Sequence, residues 1–518
     1  MLKFFLLLLF TFTIYGQHQV TIPWPSLANS PWPVIRGDMQ ATGRSEYTGP
    51  RTPNVIWRKD MPLGIFHGPV IGFNDNLFVG TNSFTGFAGG TSNYFYSMNK
   101  KGDTIWTYIT DDPSANVAGP TITNDSTIYF ISIGAGLFAL NQDGTLKWRN
   151  EKFSATYFTR FISIAKDHNI YIPWLDTLFV IEPNNGNVIN SFYTPNIAPT
   201  EIVFSTGGDT IFYFTGKINT LEEKALNAST LQGEQIWSLD LYTYSHSWGT
   251  PIVDNENRIY LYASEGPSGQ YLYCVNPNGT INWKYPFMNE NYQNYSSPTI
   301  DRNGNIIFQT NTDTGYIYSV DYFGHLNWKI SLGDIDDGAI IDHGIICDAE
   351  GKIYCGSTTG AQTNFWCIDN TGKILWKLNL EGYEFNTSPA IGSDGTLYIG
   401  THLRSTFLNH TRNLIAVKDS VTSVEDDDEK YYSYKLSQNY PNPFNPITII
   451  SYSIKQEGLV TLKVCDILGK EVATLVNENK RSGTYEVNFN ASNLPSGIYI
   501  YKLQSGIFSD VKKMLLIK

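Results

Sequence analysis

One feature constrains this chain more than any other: it repeats. A short strand in which an aliphatic residue is usually followed by an aromatic one recurs as Leu77-Phe78, Ile128-Tyr129, Ile170-Tyr171, Ile211-Phe212, Ile259-Tyr260, Ile306-Ile307, Ile353-Tyr354 and Leu397-Tyr398, 41 to 51 residues apart. A second signature is a strand ending in Trp, usually after an Asn/Asp-x-x-Gly turn, at Trp106, Trp148, Trp237, Trp283, Trp328 and Trp376, with Phe192 filling that place in the third unit. A period near 45 residues with four short strands per unit is that of a propeller blade. A four-stranded sheet with two apolar faces buries neither alone, so every unit needs neighbours and the ring must close. The strand tally says where. Trp57, in Asn54-Val-Ile-Trp57, stands before the first unit, and the last unit ends at Asn413-Leu-Ile-Ala-Val417 with no Trp strand after it. Residues 54–59 are expected to complete an eighth blade with residues 388–417. The fold class is all-β: an eight-bladed β-propeller over residues 17–418, followed by a small Ig-like β-sandwich.

Composition agrees and narrows the partners. Only 16% of the 518 residues are charged while Tyr, Phe and Trp reach 14%, which excludes disorder. A net charge of -12 argues against nucleic acid or an anionic membrane as the main partner. Met1 to Gly16, one Lys and then an apolar run from Phe4 to Tyr15, reads as a secretory signal peptide, too short to span a membrane. The first cysteine is Cys274, so no lipid anchor near the cleavage site is expected. A soluble, exported monomer follows as the expectation.

Segments such as Ala139-Leu-Asn-Gln-Asp-Gly144-Thr-Leu-Lys-Trp148 and Ser388-Pro-Ala-Ile-Gly-Ser-Asp-Gly395-Thr-Leu-Tyr398 resemble the pyrroloquinoline-quinone-like repeat of the quinoprotein-type propellers. Ser30-Pro-Trp-Pro-Val-Ile-Arg-Gly-Asp38, continuing to Thr42-Gly-Arg-Ser45, is similar to the entry segment of that family. The resemblance spans about residues 30–419 and implies architecture far more than activity.

Beyond Val417 the pattern stops. Residues 419–433 hold the acidic run Glu425-Asp-Asp-Asp-Glu429, the mark of a solvated linker. Residues 434–518 carry ten Lys and Arg against six Asp and Glu, net +4, leaving -16 for the rest. Alternation in Val460-Thr-Leu-Lys-Val464 and Tyr485-Glu-Val-Asn-Phe489 reads as half-buried strands of the sandwich. Four segments, Asn439-Tyr440-Pro441-Asn442-Pro443-Phe444-Asn445-Pro446, Asp466-Ile-Leu-Gly-Lys-Glu-Val472, Ser496-Gly-Ile-Tyr-Ile-Tyr501 and Lys513-Met-Leu-Leu-Ile-Lys518, together resemble the type A C-terminal sorting domain of type IX secretion. That resemblance implies the type IX machinery as partner for residues 434–518, passage across the outer membrane, and removal of the tail, with the mature protein secreted or held at the cell surface. The three prolines are expected to fix an extended entry strand.

Catalytic signatures are wanting. There is no Cys-Cys pair, C-x-x-C-H, H-E-x-x-H, G-x-S-x-G, phosphate loop or D-x-D-x-D-G loop, so no catalytic residue and no cofactor is assigned. Five residues before the turn Gly, aligned units carry Ser97, Ala139, Cys274, Ser319 and Cys367, with Ala416 in the last, so Cys274 and Cys367 are read as small packing residues, and Cys347 and Cys355 with them. A cross-strand Cys355–Cys367 disulfide is the alternative. His67, His168, His246, His325 and His343 are scattered singly. Asp334, Asp336 and Asp337 form the one acidic cluster in the propeller region and are weak metal candidates.

Topology locates a better candidate. In a blade of consecutive antiparallel strands the short Gly turns share one end of the ring, and the long second-to-third loops and inter-blade crossings share the other. The crossings are rich in aromatics: Phe66, Tyr157, Phe158, Tyr242, Tyr244, Trp248, Tyr285, Phe287, Tyr292, Tyr295, Tyr383 and Phe385. These suit stacking on a sugar or a peptide; the blander account is that they wedge between blades. Tyr244, Trp248, Tyr292, Tyr295 and Phe385, at or near the starts of the innermost strands, are the candidate contacts. The expectation is a non-catalytic binding module for a glycan, peptide or protein. Its rivals are a propeller enzyme, either a quinone-dependent dehydrogenase or a polysaccharide lyase, and a purely structural surface protein.

Overall fold

The computed structural model describes residues 18–420 and 434–518, apart from 62–64, 66–67, 82–92, 111–118, 133, 154–161, 198–201, 217–223, 242–248, 265–268, 289–296, 311–314, 333–343, 360–361, 381–387, 402–412, 440, 456–457, 481–482 and 507. The chain forms two compact units, Met1–Ser420 and Val421–Lys518.

Among the described residues the first unit holds eight four-stranded antiparallel sheets, the architecture of a β-propeller. Seven are sequential, the first running Val70–Ile71, Leu77–Gly80, Asn93–Met98 and Thr104–Thr110. In the eighth, Ala390–Ile391, Leu397–Gly400 and Asn413–Val417 are joined by Val55–Asp60, with Trp57 opposite Ala416 and Asp60 opposite Asn413.

Burial explains why each strand has the residues it has. Second strands such as Ile128–Ser132 are buried along their whole length, so they are continuously apolar rather than alternating. Outermost strands such as Thr104–Thr110 are half-exposed and alternate. Between them, in seven of the eight sheets, the third strand carries a small residue, because the large residues on both sides lean over it; the third sheet has Val180 between Tyr171 and Asn190. Tyr260, Cys274 and Trp283 are cross-strand partners in one row, with the Tyr260 and Trp283 rings 5.9 Å apart. Tyr354, Cys367 and Trp376 form the same row at 6.1 Å, and Tyr398, Ala416 and Trp57 at 5.9 Å.

Successive sheets are joined by those Trp residues. Each indole covers the third-to-fourth-strand turn of the next sheet: Trp106 lies where a Cβ on Gly144 would stand 2.6 Å away, and Trp237 covers Gly279 likewise at 2.7 Å. These glycines also have φ near +80°, so both the turn and the indole require the missing side chain. Phe192 covers Gly233 in the same manner. Each indole N–H donates to a carbonyl of the turn it covers, Trp106 to Gln142 and Trp328 to Asn370, both 2.9 Å. Trp376 donates instead to Pro50 O at 3.2 Å, where the eighth sheet has no turn but two separate chain segments.

The second unit packs two sheets on one core. Lys435–Leu436, Ile447–Ile454 and Gly483–Asn490 form one; Glu471–Lys480, Gly458–Asp466, Gly497–Ser505 and Phe508–Leu516 form the other, in that order. Ile450, Tyr452, Leu462, Tyr501, Leu503 and Leu516 are among the residues between them.

Candidate functional site

The ring axis is filled by the chain itself. An innermost strand has no neighbour on its axial side, so its free N–H groups need partners if they are to be buried. In seven sheets the last residue of that strand finds one on the segment 32–43. Ile71 donates to Trp32 O (2.8 Å), Ile122 to Pro33 O (2.9 Å), Phe204 to Met39 O (3.2 Å), Val253 to Gln40 O (3.0 Å), Ile300 to Thr42 O (3.3 Å) and Cys347 to Gly43 O (2.9 Å), while Ile164 N meets the Met39 sulfur at 3.4 Å. The segment visits the sheets in ring order and forms a small circle inside the large one. Trp32, Val34, Met39 and Ala41 have no exposed surface.

Both ends of this plug lie on the side of the ring where the first-to-second-strand turns are. Gln19 N donates to Arg302 O (2.8 Å), Asn255 N to Gln19 Oε1 (3.0 Å), and Ala349 N to Tyr47 O (3.1 Å), all in those turns. The tight circle demands left-handed backbone at Arg36 (φ 72°), Gly37 (85°), Ala41 (54°) and Gly43 (67°). Arg36 is buried and donates to Ala41 O, Pro298 O and Ile345 O, tying the plug to the approaches of the sixth and seventh innermost strands. Asp38 receives the Thr42 N–H (2.9 Å) and hydroxyl; burial pushes its carboxyl up, against those hydrogen bonds and the nearby Arg44 and Arg36. A quinone on the axis does not fit at this level, which Trp32, Arg36 and Met39 already occupy. Among the described residues no three His, Cys, Asp or Glu gather to hold a metal ion.

The sequence candidates fare unevenly. Tyr244, Trp248, Tyr292, Tyr295 and Phe385 lie outside the described residues, as do Asp334, Asp336, Asp337, the leader and Tyr440. Of the crossing aromatics, Tyr285 and Phe287 are described, and both are wedges between the fifth and sixth sheets: Phe287 stands 5.3 Å from Phe308 and Tyr285 6.2 Å from Tyr318, ring to ring. Cys274, Cys347, Cys355 and Cys367 are buried free thiols. The alternative Cys355–Cys367 disulfide does not form, because Cys355 pairs with Trp366 and Cys367 with Tyr354; adjacent register positions point to opposite faces. Burial pushes the Cys274 and Cys367 thiols up to about 12, so neither is a nucleophile near neutral pH. The buried Asp254 and Asp301 carboxylates are occupied within their own turns, Asp254 receiving the N–H groups of Glu256 and Arg258 and the Tyr260 hydroxyl, all at 2.8–2.9 Å.

The expected extended entry strand of the tail is instead a set of bends around a cis Asn442–Pro443 peptide, folded onto the terminal strand. Amide side chains hold it there. Asn439 donates to Thr448 Oγ1 (2.9 Å) and Pro441 O (3.1 Å), and Asn442 Oδ1 accepts from Leu515 N (2.8 Å). Phe444, buried against Phe489, exchanges backbone hydrogen bonds with Leu515 and Ile517. The first and last of the four sequence motifs are thus one interlocked structure.

Fold and tail together define the class: a secreted or cell-surface β-propeller carrying a C-terminal sorting domain. Residues 438–518 match the family described as secretion system C-terminal sorting domain, the sorting tail of type IX secretion. No curated protein matches the chain. Among solved structures, the C-terminal WD40 domain of Sif2 is 11% identical over 72% of this chain and 99% of that one, with a TM-score of 0.51, a likeness of fold alone. BamB from Moraxella catarrhalis is 15% identical over 71% of this chain and 98% of its own (TM-score 0.48), and a fungal alcohol oxidase of the AA5 family, in complex with copper, 12% over 90% and 100% (0.42). No helix among the described residues is long and apolar enough to cross a membrane.

Proposed function

We propose that the propeller is a non-catalytic binding module of the cell exterior, taking a glycan, peptide or protein ligand at the loop-rich end of the ring near its axis, with Tyr244, Trp248, Tyr292, Tyr295 and Phe385 as contacts. The observation that supports this reading is the plug. It fills the axis from the turn side, leaving the opposite end, where the long connections converge, as the place for a concave mouth. The buried thiols and the Asp254 and Asp301 carboxylates of the described residues support it too, since packing and turn hydrogen bonds already occupy them.

The test is a glycan and peptide array with the purified propeller, followed by melting and affinity measured together on Trp248→Ala and Tyr295→Ala. Binding anchors should lose about 2 kcal/mol of affinity, some thirtyfold, with melting nearly unchanged. Loss of stability alone in both variants would return these residues to inter-blade packing and overturn the assignment.

A further inference from the structure

The larger sheet of the sorting domain turns one face to the core and the other to solvent, and the two faces share the same motifs. In Gly497–Ser505 the core takes Tyr499, Tyr501 and Leu503; in Phe508–Leu516 it takes Met514 and Leu516. The alternate residues, which folding leaves free to be polar, are apolar in adjoining rows at one end of the sheet, whereas farther along Val511 and Leu459 stand opposite Lys502 and Asn479. Ile498 pairs across strands with Leu515, and Cys465 with Ile500. Ile498 is 50% exposed, Leu515 36%, the following Ile517 49%, and Leu468, in the turn after Cys465, 88%. An apolar patch that the core does not require marks a place of contact with another molecule.

The flanks state the chemistry of that molecule. Lys513 pairs with Ile500, Lys502 stands in the adjoining row opposite Lys463, whose ammonium is taken up by Glu471, and Lys470 follows Leu468 in the turn. The carboxylates nearby are engaged: Glu471 with Lys463 at 2.8 Å, and Asp466 by the N–H groups of Leu468 and Lys470. We infer that the solvent face of this sheet, at the end built by Cys465, Leu468, Ile498, Ile500, Leu515 and Ile517, is the surface by which the tail docks on a protein of the secretion machinery, and that the partner presents an apolar centre with an acidic rim. The sorting-domain match supplies the occupant, and the lysine border its charge complement. This inference is independent of what the propeller binds.

The experiment expresses the full chain in its native host with Ile498→Glu, Leu468→Glu or Lys513→Glu, and with Leu459→Glu as control. Leu459 is 56% exposed on the same face but toward its other end, paired with Asn479. Export, read as the ratio of surface and medium protein to cell-retained protein, should fall by about tenfold or more in the first three, the scale of losing a hot-spot contact. The control should export as the parent does, and all four purified proteins should melt alike. Normal export of Ile498→Glu and Leu468→Glu, or an equal loss in the control, would overturn the assignment. So would a parent protein that binds lipopolysaccharide vesicles through this patch and loses that binding with Ile498→Glu, since the occupant would then be a lipid.

Discussion

The indole of Trp57 lies over the Gly102 turn, where an added Cβ would stand 3.2 Å from the ring, and its N–H donates to Lys100 O at 2.9 Å. Trp57 belongs to the eighth sheet and Gly102 to the first, so this contact closes the ring. Trp57 is half-buried, and Trp57→Ala should cost about 2 kcal/mol, below the 3–5 typical of a fully buried aromatic. Gly144→Ala should cost a similar amount with no side chain removed, because it combines left-handed backbone strain with intrusion on Trp106. Denaturant titration of the two variants checks both values; a neutral Gly144→Ala would refute the turn-and-indole account.

Arg36 donates to the Pro298 and Ile345 carbonyls at the approaches of two innermost strands. Arg36→Met keeps much of the volume and removes the donors, and should destabilise by about 3 kcal/mol through unpaired Pro298 and Ile345 carbonyls. Deleting residues 18–48 should do far more, leaving seven innermost strands with unpaired N–H groups. The check is melting and hydrogen exchange at Ile71, Phe204, Val253 and Cys347, whose amides should exchange in step in the deletion variant.

Asp125 gives the pH dependence a sign. Partial burial pushes its carboxyl up, but hydrogen bonds from Thr123 and Thr127 and the Lys147 ammonium outweigh it and hold the group at about 2. A carboxylate with a depressed folded value stabilises above its ordinary value near 4, and the benefit fades as pH falls from there towards 2. The group is half-exposed, so solvent screening keeps the effect to a fraction of a kcal/mol. Asp125→Asn should flatten the stability curve between pH 4 and 2 and leave its slope unchanged above pH 6, read by urea unfolding at fixed pH.

The sorting tail should be absent from the mature protein. Mass spectrometry of the surface or medium fraction from the native host should find peptides up to about Tyr434 and none beyond. Abundant protein still ending at Lys518 would refute removal of the tail.

What could be read from the sequence was whatever the packing repeats. Trp106, Gly144 and the small residue between Tyr and Trp meet the same neighbours in sheet after sheet, so they recur and were visible. The plug meets the sheets at uneven spacing, through Trp32, Pro33, Met39, Gln40, Thr42 and Gly43 and mostly by backbone carbonyls, and leaves no period. Its signals, Trp32, Gly37 and Gly43 in an irregular stretch, resembled an entry segment without disclosing that it circles the axis. The bend at Asn442–Pro443 is not legible in the sequence because prolines report a restricted φ, whereas the segment is held by the amides of Asn439 and Asn442. Topology says where the loops lie but not what their aromatics touch, and Tyr285 and Phe287 serve as wedges between sheets.

In an open repeat array each unit answers only to its neighbours, so units can be added or removed one at a time. This ring has a second witness. The acceptors on residues 32–43 meet seven of the eight sheets one after another, so inserting a repeat among those seven would set the later acceptors out of step with their strands, and losing one would leave a plug acceptor without its donor. The plug acts as a gauge of ring size: two stretches of unlike sequence must change together before the number of sheets can change.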